Sequence, residues 1–306
     1  MTNIGTSTRA YFDRSNLDIS GLRAQAEALQ ARLGRNERLS RSSEDPVAAS
    51  RLRTLARAER HAKIDTVNAN RASTDLALAD TALSSFSDAV IRAQVLATQA
   101  ANDTLTDTQR ADIGTELGEI HARLVSLANT RDSSGHALFG GESAGDAYAL
   151  DGAGNAVYIG TATAGNLALG DGQSVARGVV GPEFLNFTVG GNSTSLLAEV
   201  KALGDALKGA VADPAVAARD ALSALGAGLD AITTTQTIVG SRLAWIDIAT
   251  ERSVNLGELR ADEQTAIGAT DIGTTVAELQ HVMLVLEASQ ASFAQLANIS
   301  LFETLR

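Results

Sequence analysis

Cysteine is absent from this chain of 306 residues, which excludes disulfides, thiolate catalysis and cysteine metal sites. Prolines number only three, and aromatic residues make up 4%. With Ala, Leu, Val and Ile carrying most of the apolar content, such a core favours close-packed helices over bulky rings. Basic charge is in deficit: 25 Lys and Arg against 36 Asp and Glu leave a net charge of -11. Affinity for phosphate backbones comes from clustered Lys and Arg, so nucleic acid is not an expected partner. No stretch approaches the roughly 18 apolar residues that span a bilayer, and no membrane partner is expected. The segment from Met1 to Ser7 has no basic start followed by an apolar run, so no cleavable secretory signal is read there.

Helical periodicity dominates what is present. From Ile19 the apolar positions run Ile19, Leu22, Ala26, Leu29 and Leu33, stepping by three and four as a coiled-coil seam does. A polar segment from Asn36 to Ser43 follows. A second helix then starts at Asp45-Pro46, with Asp45 as N-cap and Pro46 at the first helical position, and is expected to run to about Asn102. Leu76, Ala79, Leu83, Phe86, Val90, Ala93 and Ala97 form its stripe, and Ile113, Leu117, Ile120, Leu124 and Leu127 that of a third helix over about Thr108 to Thr130. The short loop between them predicts antiparallel neighbours.

The 27 glycines are unevenly placed, with a dense run between Gly135 and Gly191, where periodicity breaks and short strands between turns are expected: Ala156 to Ile159, Asn166 to Leu169, and Phe184 to Val189. Helical spacing resumes at Leu196, Val200, Leu203 and Leu207, then from Leu222 to about Arg260. A last seam follows, with Ile272, Val276, Leu279, Met283 and Leu286. The fold class read from this layout is mainly α: a long antiparallel helical bundle with paired terminal coiled-coil helices and a small Gly-rich β insertion at the centre. The expected domains are a terminal coiled-coil assembly domain (1–43 and 265–306), a helical bundle (44–135 and 192–264) and an outward-facing β-rich insertion (136–191). A lone amphipathic helix is marginal in water, so the terminal segments must pair with one another or wait for a neighbouring subunit. The expectation is an intermolecular seam, with Ile19, Leu22, Leu29, Leu33, Ile272, Val276, Leu279, Met283, Leu286, Phe293 and Leu296 as its apolar positions.

Four local motifs occur in order along this layout. They are Leu39-Ser40-Arg41-Ser42-Ser43-Glu44-Asp45-Pro46-Val47-Ala48-Ala49-Ser50; Leu127-Ala128-Asn129-Thr130 with Gly135-His136-Ala137-Leu138-Phe139-Gly140-Gly141; Val157-Tyr158-Ile159-Gly160 with Gly181-Pro182-Glu183-Phe184; and Glu287-Ala288-Ser289 with Asn298-Ile299-Ser300-Leu301-Phe302-Glu303-Thr304-Leu305. Together they resemble the flagellin superfamily, specifically its hook-filament junction branch, the hook-associated protein 3 family. The resemblance implies a secreted structural protein of the bacterial flagellum, exported unfolded by the flagellar type III path and needed for motility. It implies self-association in a ring. It further implies another hook-associated protein on the hook side, flagellin or a second junction protein on the filament side, and an export chaperone. The Asp-Pro-Val-Ala-Ala stretch favours this branch over filament flagellin, which is the nearest alternative.

No catalytic residue, cofactor site or metal site is read from the sequence. Glu278-Leu279-Gln280-His281 has the Glu-x-x-His spacing of a bundle metal site, but such sites need a second copy of the motif and two further carboxylates. A helical-bundle metalloenzyme is therefore the less favoured reading, and His281 is read as a surface or interface residue. His61, His121 and His136 belong to no nucleophile or zinc pattern. The loop Asp151-Gly152-Ala153-Gly154-Asn155 lacks the alternating oxygen ligands of an EF-hand. The basic row Arg32, Arg35, Arg38 and Arg41 reads either as a solvated face or as inter-subunit ion-pair partners. Arg35, Arg38, Arg41, Asp45 and Pro46 are the candidate residues of a domain joint.

Overall fold

The computed structural model describes the backbone of residues 4–304 and the side-chain surroundings of residues 10–295. Two compact units emerge: residues 1–60 with 256–306, and residues 61–255. Helices α2 (Pro46–Ala100) and α6 (Pro214–Gly268) run through both.

The first unit contains α1 (Ile4–Arg35), the start of α2, the end of α6, and α7 (Ile272–Thr304). The apolar spacing first becomes regular at Ile19, yet α1 begins at Ile4; its first turns have polar and small residues that permit a helix without announcing one. Asn36 adopts φ of 53° and stops α1 in the left-handed conformation. Asp45 caps α2 by accepting from the Ala48 backbone N–H at 3.0 Å. Asp271 does the same for α7, accepting from the Gly273 N–H at 3.0 Å and the Thr274 hydroxyl at 2.7 Å. Helices α1 and α7 pack on each other, burying Ala26, Leu29 and Val282 with Leu22 and Leu279 against them.

In the second unit, α2 turns back through a loop into α3 (Asp107–Ala128). Thr106 and Gln109 form a reciprocal capping box at its start. The inward stripe of α2, from Ala72 through Leu76, Leu83, Phe86 and Val90 to Ala97, is buried with Leu117 and Leu124 of α3 and Leu225, Ile232 and Val239 of α6. Between α3 and α6 lie three antiparallel hairpins: β1 (Tyr148–Leu150) with β2 (Ala156–Tyr158), β3 (Asn166–Gly170) with β4 (Gln173–Ala176), and β5 (Asn186–Val189) with β6 (Asn192–Ser195). Of the expected strand from Phe184 to Val189, only Asn186–Val189 is strand. Pro182 opens the short helix α4 (Gly181–Leu185), which takes Phe184 and Leu185 into the core. Ser195 caps α5 (Leu196–Asp205), which continues into a π-turn over residues 206–210 that Gly209 ends at φ of 102°. Helix α5 lies so close to α3 that a Cβ on Gly114 would stand 2.7 Å from the Gly204 carbonyl oxygen. Among the described residues, no helix is long and apolar enough to cross a membrane.

Candidate assembly interface

The terminal helices carry most of the candidate residues, and their surroundings divide them. Leu22, Leu29 and Leu279 join the buried cluster of the α1–α7 pair, and Ile19, Leu33, Val276, Leu286 and Phe293 are half-buried. Phe293 meets Phe12 edge-on, with ring centroids 5.4 Å apart. Ile272 and Met283 are exposed, at 61% and 51%. The side chain of Leu296 lies outside the described residues. The pairing therefore consumes one stripe of each helix and leaves a second apolar set, with Leu17 and Leu284 at 71% and 65%, facing solvent. Val282 occupies the buried stripe beside Leu279, a position that heptad counting through Leu279, Met283 and Leu286 passes over.

The candidate joint is a network of ions around the segment linking α1 to α2. Arg38 donates to the Asp45 carboxylate at 3.0 Å and to the Ile267 carbonyl at 2.9 Å, and its backbone N–H reaches the Gly268 carbonyl at 2.7 Å. The segment is thus fastened to the end of α6. Arg32 pairs with Glu44 at 3.2 Å, while Ser40 donates its hydroxyl to the same carboxylate. Arg51 grips Glu263 through two guanidinium nitrogens, the longer contact 2.8 Å.

Hydrogen bonding lowers the carboxyl pKa values here. The Ala48 N–H and then Arg38 act on Asp45, the Ser40 hydroxyl acts first on Glu44, and Arg51 acts on Glu263. Pro46 is exposed at the first turn of α2. Arg35 and Arg41 are exposed and have no ion pair among the described residues; with Arg32 they line a cleft of about 400 Å³.

A second network, in the 61–255 unit, escaped the sequence reading. Arg177, just past β4, donates to Asp75 of α2 at 2.9 Å and to Asp132 at 2.6 Å. Both carboxylates are almost fully buried. Burial opposes ionisation of Asp132, yet the backbone N–H groups of His136 and Ser134 and the Arg177 guanidinium hold its pKa below the usual value. This network ties the loop after α3, the insertion and α2 together across sequence separations of 45 and 102 residues, which no local pattern signals. Phe139 of the Gly-rich motif meets Phe86 edge-on and Phe184 at a tilt, and all three are fully buried. The motif is therefore a structural plug.

The histidines are scattered. His121 is buried with its Nε2 lacking a partner among the described residues, and burial lowers its pKa. Glu278 and His281 are both exposed. Among the described residues no group of three His, Cys, Asp or Glu side chains could hold a metal ion.

Residues 10–144 match the family model for the bacterial flagellin N-terminal helical region. The chain is similar to flagellar hook-associated protein 3 of Escherichia coli (strain K12). The two are 25% identical over 317 residues, taking in 97% of this chain and 98% of that protein. Flagellar hook-associated protein 3 of Salmonella typhimurium is 29% identical over 135 residues, 44% of this chain and 43% of the relative. A crystal structure of flagellar hook associated protein-3 from Legionella pneumophila superposes with a TM-score of 0.64 at 14% identity, over 71% of this chain and 98% of that one. At such identity the likeness concerns the fold.

Proposed function

We propose a mechanical role that proceeds from the family: the chain belongs to the flagellin superfamily, in its hook-associated protein 3 branch. It is a structural subunit of the extracellular flagellum, an adaptor between hook and filament, and not an enzyme. The observation that carries this is the similarity to a hook-associated protein 3 over nearly the whole of both chains, in a helical fold with paired terminal helices.

In this reading the first unit is the assembly domain. The α1–α7 pair presents its remaining apolar stripe to neighbouring subunits, and the ion-paired segment from Arg35 to Pro46 stiffens the entry into α2. Copies associate in a ring, with another hook-associated protein on the hook side and flagellin or a second junction protein on the filament side. An export chaperone would hold the terminal seams before assembly, since exposed apolar stripes invite premature association.

Deleting the chain tests this. The expected phenotype is completed hooks with flagellin released into the medium, because filament subunits lack a layer to anchor on. Specificity by interface means that one neighbour cannot substitute for an adaptor whose two sides fit different partners. Attached filaments in the deletion strain, or the absence of any secreted flagellin, would overturn the junction role in favour of a filament flagellin.

A further inference from the structure

Two buried carboxylates share one guanidinium in the 61–255 unit, so the network joining α2, the loop after α3 and the insertion is short of one positive charge. Asp75 accepts from Arg177 Nε at 2.9 Å. Asp132 Oδ1 accepts from the backbone N–H groups of Ser134 and His136 at 2.8 and 2.9 Å, and its Oδ2 accepts from Arg177 Nη2 at 2.6 Å. The same Oδ2 faces His136 Nδ1 at 3.8 Å, which is too long for a hydrogen bond. That ring nitrogen is buried and has no hydrogen-bond partner among the described residues, although 46% of the side chain is exposed. A neutral ring leaves the buried nitrogen unmatched beside a carboxylate, whereas a protonated ring makes it a charge-assisted donor.

The charges facing the ring come from several elements. They are Asp75 from α2, Arg177 from the segment after β4, and Glu142, which is exposed at the rim of the same cleft of about 260 Å³. Arg131, on the same turn as His136, is turned to the Gly135 carbonyl and to Asp146. Around a neutral imidazole, three carboxylates thus stand against one guanidinium in the cleft. Burial opposes ionisation of Asp132, but the two backbone N–H groups, Arg177 and His136 itself hold its pKa below the usual value. It therefore stays charged while a histidine takes up its proton.

We propose that His136 is a proton-operated member of this clasp: once protonated, its Nδ1–H closes on the Asp132 carboxylate, supplies the missing cation, and tightens the hold of the turn and the insertion on α2. The imidazolium has a partner in the folded chain that it lacks in the unfolded one. The added stability is accordingly present on the acid side and fades as pH rises and the ring loses its proton. It lasts on acidification until Asp132 itself is protonated. Since the protein is extracellular, the half-exposed ring meets the pH of the medium.

Hydrogen exchange on the full chain tests this at pH about 8 and about 5.5, on either side of the range in which imidazoles ordinarily change charge, with rates corrected for intrinsic exchange. The reporters are the amides of Asp132, Leu138 and Arg177, which donate to the carbonyls of His136, Thr130 and Gly165. In the unaltered chain their protection is expected to rise about three- to fivefold at the acid pH, the scale of a partly exposed ion pair. In His136→Gln it is expected to stay level. Asp75→Asn leaves the guanidinium one carboxylate to serve and is expected to cut the rise to under about twofold. Circular dichroism at both pH values checks that the variants fold.

A second readout does not depend on any variant folding: nitrogen-resolved NMR of the acidified, unaltered chain is expected to show a His136 Nδ1 proton held against exchange with water. Equal acid responses in the unaltered chain and His136→Gln, or reporter protection that falls with acid in the unaltered chain, would overturn the proposal. So would a His136 Nδ1 proton in free exchange with solvent.

Discussion

At the scale of single residues, the buried carboxylates among the described residues, Asp75 and Asp132, meet in one bridge. The single guanidinium of Arg177 is shared by these two carboxylates, which are otherwise cut off from water. Removing the cation leaves both without a counter-ion, and breaking a buried pair in this way costs about 3–5 kcal/mol. The Arg177 side chain keeps 30% of its surface, so Arg177→Met is expected at the low end, a loss of about 3 kcal/mol in denaturant-unfolding stability. An unchanged midpoint would show that water already satisfies the pair. Asp132 and His136 sit beside a motif legible in the sequence as a turn, but their partner Arg177 lies beyond two hairpins. Ion pairs at that separation depend on how hairpins dock, and periodicity does not encode docking.

At the scale of elements, the terminal seam was legible as a pattern and incomplete as a contact. The positions in three-and-four spacing, Leu22, Ala26 and Leu29, are those that α1 packs against α7 of the same chain, where an intermolecular seam was the expectation. On α7 the same rule spreads over Val276, Leu279, Met283 and Leu286, because apolar residues occupy more than one face and any of several stripes could be the inner one. The structure selects Leu279 with Val282 and turns Met283 outward.

Leu279→Asp is therefore expected to open the α1–α7 pair, since an unpaired carboxylate is costly in an apolar contact. Met283→Asp, on an exposed position, is expected to leave the pair intact. Hydrogen exchange over residues 19–33 in the two purified variants separates them: protection falls in the first and persists in the second. Equal loss in both would place Met283 in the intrachain seam.

At the scale of the molecule, the two units differ in what holds them. Residues 61–255 enclose a continuous core from Leu76 to Val239, whereas the buried apolar cluster described for the terminal unit is Ala26, Leu29 and Val282 with two flanking leucines. The terminal unit relies in addition on carboxylates, Glu44, Asp45, Glu263 and Asp271, whose pKa values are all lowered by hydrogen bonds or ion pairs. A carboxyl with a folded value below its unfolded one contributes stability at pH above about 4, and that contribution disappears as pH falls through the folded value. Acidification from pH 7 to about 3 is expected to release hydrogen-exchange protection in residues 10–60 and 256–295 before residues 61–255. Simultaneous release would show that the ion pairs of the terminal unit are incidental.

The sequence by itself determined the class of this protein: long helices from three-and-four spacing, an insertion from clustered glycine, a helix start from Asp45-Pro46, and a family from four motifs in order. Those signals are local, since each is written within one or two helical turns or one hairpin. Only the tertiary structure decided which stripe of α7 faces inward, that Phe139 plugs the core against Phe86 and Phe184, and that Arg177 bridges Asp75 and Asp132. These depend on the relative rotation and level of elements far apart in the chain, and packing sets those rather than the period of any single helix.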